Sequence, residues 1–283
     1  MRVHWILSAI LSGTPFVAQA QTRVPASPGQ LVAEVVYNEL HDHQLHGYWR
    51  YWIEKHAQKQ SKLEEQVETA DGPITRLLST GGRPLSAADE ESERARLDHW
   101  LNSPQEQERH RQDYADDEKR IGRILALLPQ AFLFADGGTE KGCVHLRFWP
   151  NPAYPPHSIE ARIFHAMRGE MWVDLRGKRL VRLDGQLDEN VDFGYGILGR
   201  LYKGGWFRLQ RTQVSATDWK TERLEVHMNG RAFFLKTISR ETSEVRGGFE
   251  PVPAGLSLAQ GMKMILPLQA TSAVARTTFP AVR

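Results

Sequence analysis

Gly194, Gly196 and Gly199 stand in the order GYGILG, the spacing at which a strand-to-helix turn brings backbone N–H groups against a dinucleotide pyrophosphate. That chemistry needs a helix directly after the turn and an acid about twenty residues on. Gly204-Gly205 would break such a helix and Asp218 falls between two strand-like segments, so the glycines read as a turn region where a sheet bends. His41, His43 and His46 could offer neutral imidazoles to zinc or copper, with Asp42 as a further donor. They straddle a helix end and a strand start, with no H-E-x-x-H pattern and no pair of cysteines, and read as solvated histidines; no metal and no cofactor is expected. Gly255, Ser257 and Ala259 (GLSLA) nearly match the nucleophile elbow, but the parallel sheet with crossover helices that the elbow requires is missing. Glu65, Glu160, Asp174 and Glu225 could supply a glycosidase-like pair of carboxylates, and nothing in their spacing selects two. No catalytic residue is assigned, and the chain reads as a non-catalytic protein.

The remaining constellation is apolar. Tyr48, Trp49, Tyr51 and Trp52 put large rings on both faces of one strand, which therefore needs cover on both sides: core or helix on one, and either more core or a ligand cavity on the other. The residues expected to line an apolar groove are Trp49, Tyr51, Ile53, Leu63, Val67, Phe207, Leu209 and Phe234. Which strand face looks inward is open at this point, because a one-residue shift exchanges the faces.

The elements that must position these residues are legible as periodicities. Ser27, Pro28 and Gln30 form an N-cap, a first-turn proline and a capping-box partner, and Val32, Val35, Val36 and Leu40 recur at helical spacing, predicting a helix over about 28–41. Residues 47–56 and 61–70 alternate as strands, Asp71-Gly72 is a two-residue hairpin signal, and Ile74 to Ser79 is the returning strand, ended by Gly81-Gly82 and Pro84. Ser86 with Asp89, and Ser103 with Pro104 and Glu106, start two helices joined at Asn102-Ser103; the second is polar until Ile121, Ile124, Leu125 and Leu128, and Pro129 is expected to stop it. Strands are then predicted over 131–135, 143–149, 159–165, 170–176, 179–184, 206–214, 224–228 and 231–239, with Asn229-Gly230 as a hairpin turn and the Pro150–Pro156 stretch as a rigid loop. Short strands joined by turns rather than crossover helices predict an α+β fold: one large curled antiparallel sheet, an open or half barrel, with an N-terminal helix and a helical insertion over 86–129 acting as a lid.

Composition sets the outer limits. The chain has 283 residues, 41% hydrophobic and 25% charged, near globular averages that argue against disorder and against a multi-span membrane protein. A formal charge of +2 is too slight and too evenly balanced to imply a nucleic-acid binder by charge alone. Met1 and Arg2, the apolar run Val3 to Leu11 and the small-residue site Ala18-Gln19-Ala20 fit a secretory signal over 1–20, so a periplasmic or secreted protein without a membrane span is expected after cleavage, with one domain over 21–266 and a disordered tail over 267–283. Cys143 is the single cysteine and is expected in a strand with a buried thiol. Eleven acids against six bases over 86–120 give −5, whereas thirteen bases against six acids over 200–283 give +7. Opposed poles of this size could steer an envelope protein partner, or simply attract each other within the fold.

The order helix, three strands, helical insertion and many antiparallel strands after a signal peptide resembles the periplasmic lipoprotein-carrier (LolA-like) superfamily. Stretches such as VETADGPITRLLSTGGRPL at 67–85 and FWPNPAYPPHSIEAR at 148–162 are similar to those of uncharacterised secreted bacterial proteins loosely associated with that fold. The resemblance covers about 27–250 and implies an incomplete barrel capped by helices, holding acyl chains or a partner's peptide. The longer, very polar helical insertion departs from the family, and no functional residue is carried over. The resulting expectation is a carrier that binds a lipid or acylated ligand, with an envelope interaction or sensor module without a small ligand as the alternative and an enzyme of unrecognised type as a third reading.

Overall fold

The computed structural model describes residues 27–41, 47–57, 60–193, 199–232 and 236–266. The expected signal over 1–20, the tail over 267–283, the segment holding Asp42, His43 and His46, and Gly194 and Gly196 lie outside the described residues.

Helix α1 (Pro28–Leu40) starts as its sequence dictates: the Ser27 side chain accepts from the Gln30 N–H at 3.2 Å, and Leu31, Val32, Val35 and Val36 form the buried stripe. Strands β1 (Tyr48–Ala57), β2 (Gln60–Val67) and β3 (Ile74–Thr80) follow. The Asp71-Gly72 signal marks a connection wider than the expected two residues, since the ladder closes at the pair Val67↔Ile74. Thr69 organises that turn, donating from its hydroxyl to the Gly72 carbonyl at 2.6 Å. The tight two-residue hairpin lies at Gly81-Gly82, whose φ values of 59° and 71° are those of a type I′ turn, joining β3 to the short edge strand β4 (Arg83–Pro84). Helix α2 (Ala87–Leu101) is capped by Ser86 as expected. Helix α3 (Pro104–Ala131) differs in two respects: Ser103 makes no side-chain cap bond, and the helix runs through Pro129 to Ala131. A proline so near a C-terminus costs a single backbone bond, which the packing of Ala131 and Phe132 beyond it offsets.

Strands β5 (Phe132–Glu140) and β6 (Cys143–Pro150) form the next hairpin. The predicted strand over 159–165 is a helix, α4 (Ile159–His165). Seven residues fit either period, and the decisive feature is Ser158, whose side chain accepts from the Ala161 N–H at 3.1 Å. Strands β7 (Met167–Asp174), β8 (Arg179–Leu187), β9 (Val191–Phe193), β10 (Gly199–Leu201), β11 (Trp206–Gln213), β12 (Trp219–Ala232) and β13 (Lys236–Val252) complete the sheet, and helix α5 (Leu258–Ile265) ends the described chain. Asn229-Gly230 is not a turn. Both residues lie inside β12, opposite Ser239 and Ile238 of β13, and the connection falls at 233–235, outside the described residues. Gly230 answers a different need: a Cβ there would stand 2.4 Å from the Arg200 carbonyl oxygen of β10, which pairs alongside.

The pairing is antiparallel throughout, in the order β4-β3-β2-β1-β13-β12-β11-β8-β7-β6-β5, with β9 and β10 attached beside β12. The first strand thus pairs with the last, and the sheet stays open, with β4 and β5 as its edges. This is the expected α+β curled sheet with helices.

Residues opposite one another in the ladder share a face, so the register sorts the whole sheet into two sides. Trp49, Tyr51 and Ile53 lie on one side, the inner face, which continues through Leu224 and Leu209 to Leu183, Met171 and Leu146. Leu63 and Val67 pair with Glu54 and Arg50 and therefore lie on the outer face. The helices divide accordingly. Helices α2 and α5 cover the outer face at the β2–β3 end, where Leu97, Leu258, Met262 and Ile265 bury Val67 and Ile74. Helices α1, α4 and the last turns of α3 cover the inner face of β5–β8 and β11. The expected lid is thus split between two faces.

Candidate functional site

The inner face carries a cavity of about 160 Å³ lined by apolar side chains alone. Helix α1 contributes Val32, α3 contributes Ile124, Leu125 and Leu128, and α4 contributes Phe164. The sheet supplies Phe132, Phe134, Phe148, Met167, Met171, Leu183 and Phe207. No charged side chain and no hydrogen-bond donor lines it, so nothing in that lining would orient a polar substrate. A site of this size and lining stays dry and accepts an apolar guest, such as a ring the size of benzene.

The floor of the cavity is set by a pair of glycines. Phe148, Gly169, Gly185 and Phe207 face one another in sequence across β6, β7, β8 and β11. A Cβ at Gly169 would lie 2.6 Å from Phe148 Cζ, and one at Gly185 would lie 2.3 Å from Phe207 Cε1. The two rings therefore lie over the glycine backbone. A larger residue at Gly185 would push Phe207 into the cavity, whereas at Gly169 it would first collide with the Asp184 backbone carbonyl of the neighbouring strand. Phe132 extends the ring system, at 4.9 Å from Phe148 and 5.2 Å from Phe164 between centroids.

Helix α3 is about 42 Å long at 1.5 Å per residue. Its C-terminal turns roof the cavity, and its N-terminal half is tied to the β2–β3 connection. Arg111 donates to Asp71 at 3.0 Å, and His110 and Tyr114 press on Gly72, where φ is +109° and a Cβ would stand 2.9 Å from His110 Nε2. His110 meets Trp100 edge-on at 5.5 Å, and burial holds its imidazole below the ordinary histidine range. The Tyr114 hydroxyl is pushed up to about 12 by burial and by the nearby Glu118 and Glu68. Five of the eleven acids over 86–120 pair within their own helix, through Glu91–Arg94, Glu93–Arg96, Glu108–Arg111, Asp116–Lys119 and Asp117–Arg120.

Away from the cavity, the buried cluster on the inner face of β1 is edged by polar side chains. Glu68 accepts from Lys220 at 2.7 Å, from the Trp49 N–H at 3.1 Å and from the Tyr51 hydroxyl at 3.3 Å. Burial and the Glu68 charge raise the Tyr51 hydroxyl well above its ordinary range. Asp218 is buried, which opposes its ionisation. Hydrogen bonds from Ser215, Thr217, the Gly47 N–H and Trp49 outweigh that cost and keep the carboxyl below its usual range.

Of the residues expected to line a groove, Phe207 lines the cavity, and Leu209 packs beside it on the α1 cluster. Trp49, Tyr51 and Ile53 share that face but form a separate buried cluster with Val214 and Phe249. Leu63, half-buried, and Val67, buried, lie on the opposite face, and Phe234 falls outside the described residues. The eleven other lining residues were not named in advance. The signals for them were the late apolar turns of α3 and the period-two phenylalanines of β5 and β6.

The remaining sequence candidates have structural employment. Ser257 caps α5 in a full capping box with Gln260. His41 ends α1, its Nδ1 2.7 Å from the Tyr37 carbonyl oxygen. Glu65 is buried on Arg50, Asp174 accepts from the Gly177 N–H, Glu225 faces Arg208 and Arg223, and Glu160 lies in the first turn of α4. Cys143 opens β6 and is half-buried rather than buried; burial and its neighbours Asp174 and Glu140 push the thiol up, away from a reactive thiolate. Among the described residues no group of three or more metal-ligating side chains converges, and no helix is long and apolar enough to cross a membrane.

No family model and no curated protein matches the chain. Among solved structures, it is similar to a DUF1329 family protein from Desulfovibrio piger ATCC 29098, at 10% identity over 82% of this chain and 96% of that chain, with a TM-score of 0.28.

Proposed function

We propose that the chain is an exported, non-catalytic binding protein that takes an apolar guest, such as one acyl chain, into the cavity beneath α1, α3 and α4. The observation that carries this reading is the lining itself: twelve side chains, five of them phenylalanine, with no polar group among them. An ordinary core closes such a space, because an unfilled void forfeits dispersion contacts on every side. Ligand sites commonly reach about 300 Å³ or more, so a long chain requires the roof to move. The construction of α3 suits that motion. Its surface is polar, and its cavity contact is confined to Ile124, Leu125 and Leu128.

Native mass spectrometry of protein purified from its own envelope tests the reading. Copurified lipid, lost when Leu183→Trp fills the cavity in a folded protein, supports it. A protein that carries no lipid and also fails to bind fatty-acid probes refutes it.

A further inference from the structure

Among the described residues no helix covers the outer face of β6, β7, β8 and β11, which forms a shallow cleft of about 820 Å³ with Trp149 and Trp206 at its two sides. Three tryptophans lie on this face, and their treatment differs. Trp172 is 9% exposed, held between His145 at 4.7 Å and the Arg182 guanidinium at 4.5 Å. Trp149 and Trp206 are 40% and 37% exposed, although His227 stacks on Trp206 at 6.0 Å and the Arg208 guanidinium lies 5.8 Å from its ring centre. Trp206 faces Gln186, which faces Arg168, and Trp149 lies one residue beyond the Phe148–Gly169 pair. The two indoles are therefore three strand spacings apart, about 14 Å.

The floor between them is a charge ladder in register: Arg147, Glu170, Asp184, Arg208 and Glu225 face one another in turn across five strands. Arg168 pairs with Asp188, and Arg182 with Asp184 at 2.5 Å. With Arg223 on Glu225 and Glu140 beside Arg182, five arginines meet five carboxylates on this face. Such a surface exerts no net pull on an anion or a cation, which argues against phosphate, nucleic acid or a charged lipid surface. What it offers is two flat apolar walls and many fixed donors and acceptors between them. That combination fits a molecule with apolar C–H faces and a dense edge of uncharged hydroxyls.

We propose that this cleft binds a neutral glycan, its sugar faces stacked on Trp149 and Trp206 and its hydroxyls bonded to Arg147, Glu170, Asp184, Gln186 and Arg208. Rigid indoles lose little conformational entropy on binding, and Asp184 and Arg208 are already held by their ion pairs. The cleft lies across the sheet from the apolar cavity, with Phe148 and Phe207 common to the lining of both.

The test is calorimetric titration of the full chain with neutral hexasaccharides of glucose (β-1,4 and α-1,4), xylose, mannose and N-acetylglucosamine. At least one is expected to bind, with an affinity that changes little between 50 and 500 mM salt. Trp149→Ala and Trp206→Ala should each weaken it on the order of tenfold, as removal of a central aromatic contact does. Both substitutions are at exposed side chains, and far-UV circular dichroism checks that the variants fold. Failure of every hexasaccharide to bind overturns the proposal. So does binding that survives in the double variant, or binding seen only with a sulfated glycan or a protein partner and lost at high salt.

Discussion

Replacing Gly185 by alanine probes the construction of the cavity at one atom. The new Cβ would lie 2.3 Å from Phe207 Cε1, 2.8 Å from its Cζ and 3.0 Å from Met167 Sδ. Ordinary carbon contacts need about 3.5–4.0 Å, so the Phe207 ring must yield by more than 1 Å, and the space available to it is the cavity. Overpacking of this kind costs about 1–3 kcal/mol, and the smaller backbone entropy of alanine returns about 0.5–1. The net is a loss of about 1–2 kcal/mol, or roughly 2–6 °C in Tm for a domain of this size. Urea denaturation of Gly185→Ala, Phe207→Leu and the double variant supplies the assay. In the double variant the shorter side chain on β11 no longer reaches the new methyl group on β8, so the penalties should fall short of additive by about 1 kcal/mol, the range seen for residues in contact. The same displacement should lower affinity for a fatty-acid probe. A Gly185→Ala protein as stable as its parent, or penalties that simply add, would refute the packing argument.

His110 is held below its ordinary pKa by burial, so the unfolded chain binds its proton more readily than the folded one. Its stabilising effect is complete above about pH 6.5 and is lost as pH falls through the folded value, and stability measured from pH 7.5 to 5 should decline less in His110→Gln than in the parent. Glu93 is buried and accepts from the Leu77 N–H at 2.8 Å while gripping Arg96 through both oxygens. Glu93→Ala should cost about 2 kcal/mol in urea denaturation through the stranded N–H, and Arg96→Ala, at a half-exposed partner, clearly less. Gly81→Ala and Gly82→Ala place a side chain at positive φ in open space, so each should cost about 1 kcal/mol with no change in ligand binding.

Elements with a local cause were legible in the sequence. Helix α1 follows from Ser27, Pro28 and its valine stripe, α2 from Ser86, and most strands from their alternation. The errors came where two local signals competed. Ile159 to His165 fits both periods, and only the Ser158 cap, a single hydrogen bond, decides for a helix. Asn229-Gly230 has the ideal composition for a turn, yet Gly230 is small for the sake of β10, which lies thirty residues earlier in the chain. The candidate site was less legible than the fold, because a cavity is a non-local object. The pairing of β1 with β13 and the register Arg50↔Val67 decide that Trp49 and Val67 look opposite ways, and no local pattern encodes either. The Phe148, Gly169, Gly185 and Phe207 row spans four strands and about sixty residues, and each member taken alone reads as an ordinary strand residue or a turn glycine.

The methionines give the most direct test of the cavity. Met167 and Met171 line it, whereas Met262 is buried in the separate cluster between α2, α5 and the outer face of β2 and β3. In protein carrying ¹³C-labelled methionine methyls, titration with dodecanoate should shift the Met167 and Met171 signals in a saturable way and leave Met262 in place. A titration in which Met167 and Met171 do not move, or in which Met262 moves with them, would contradict the assignment of this cavity as the binding site.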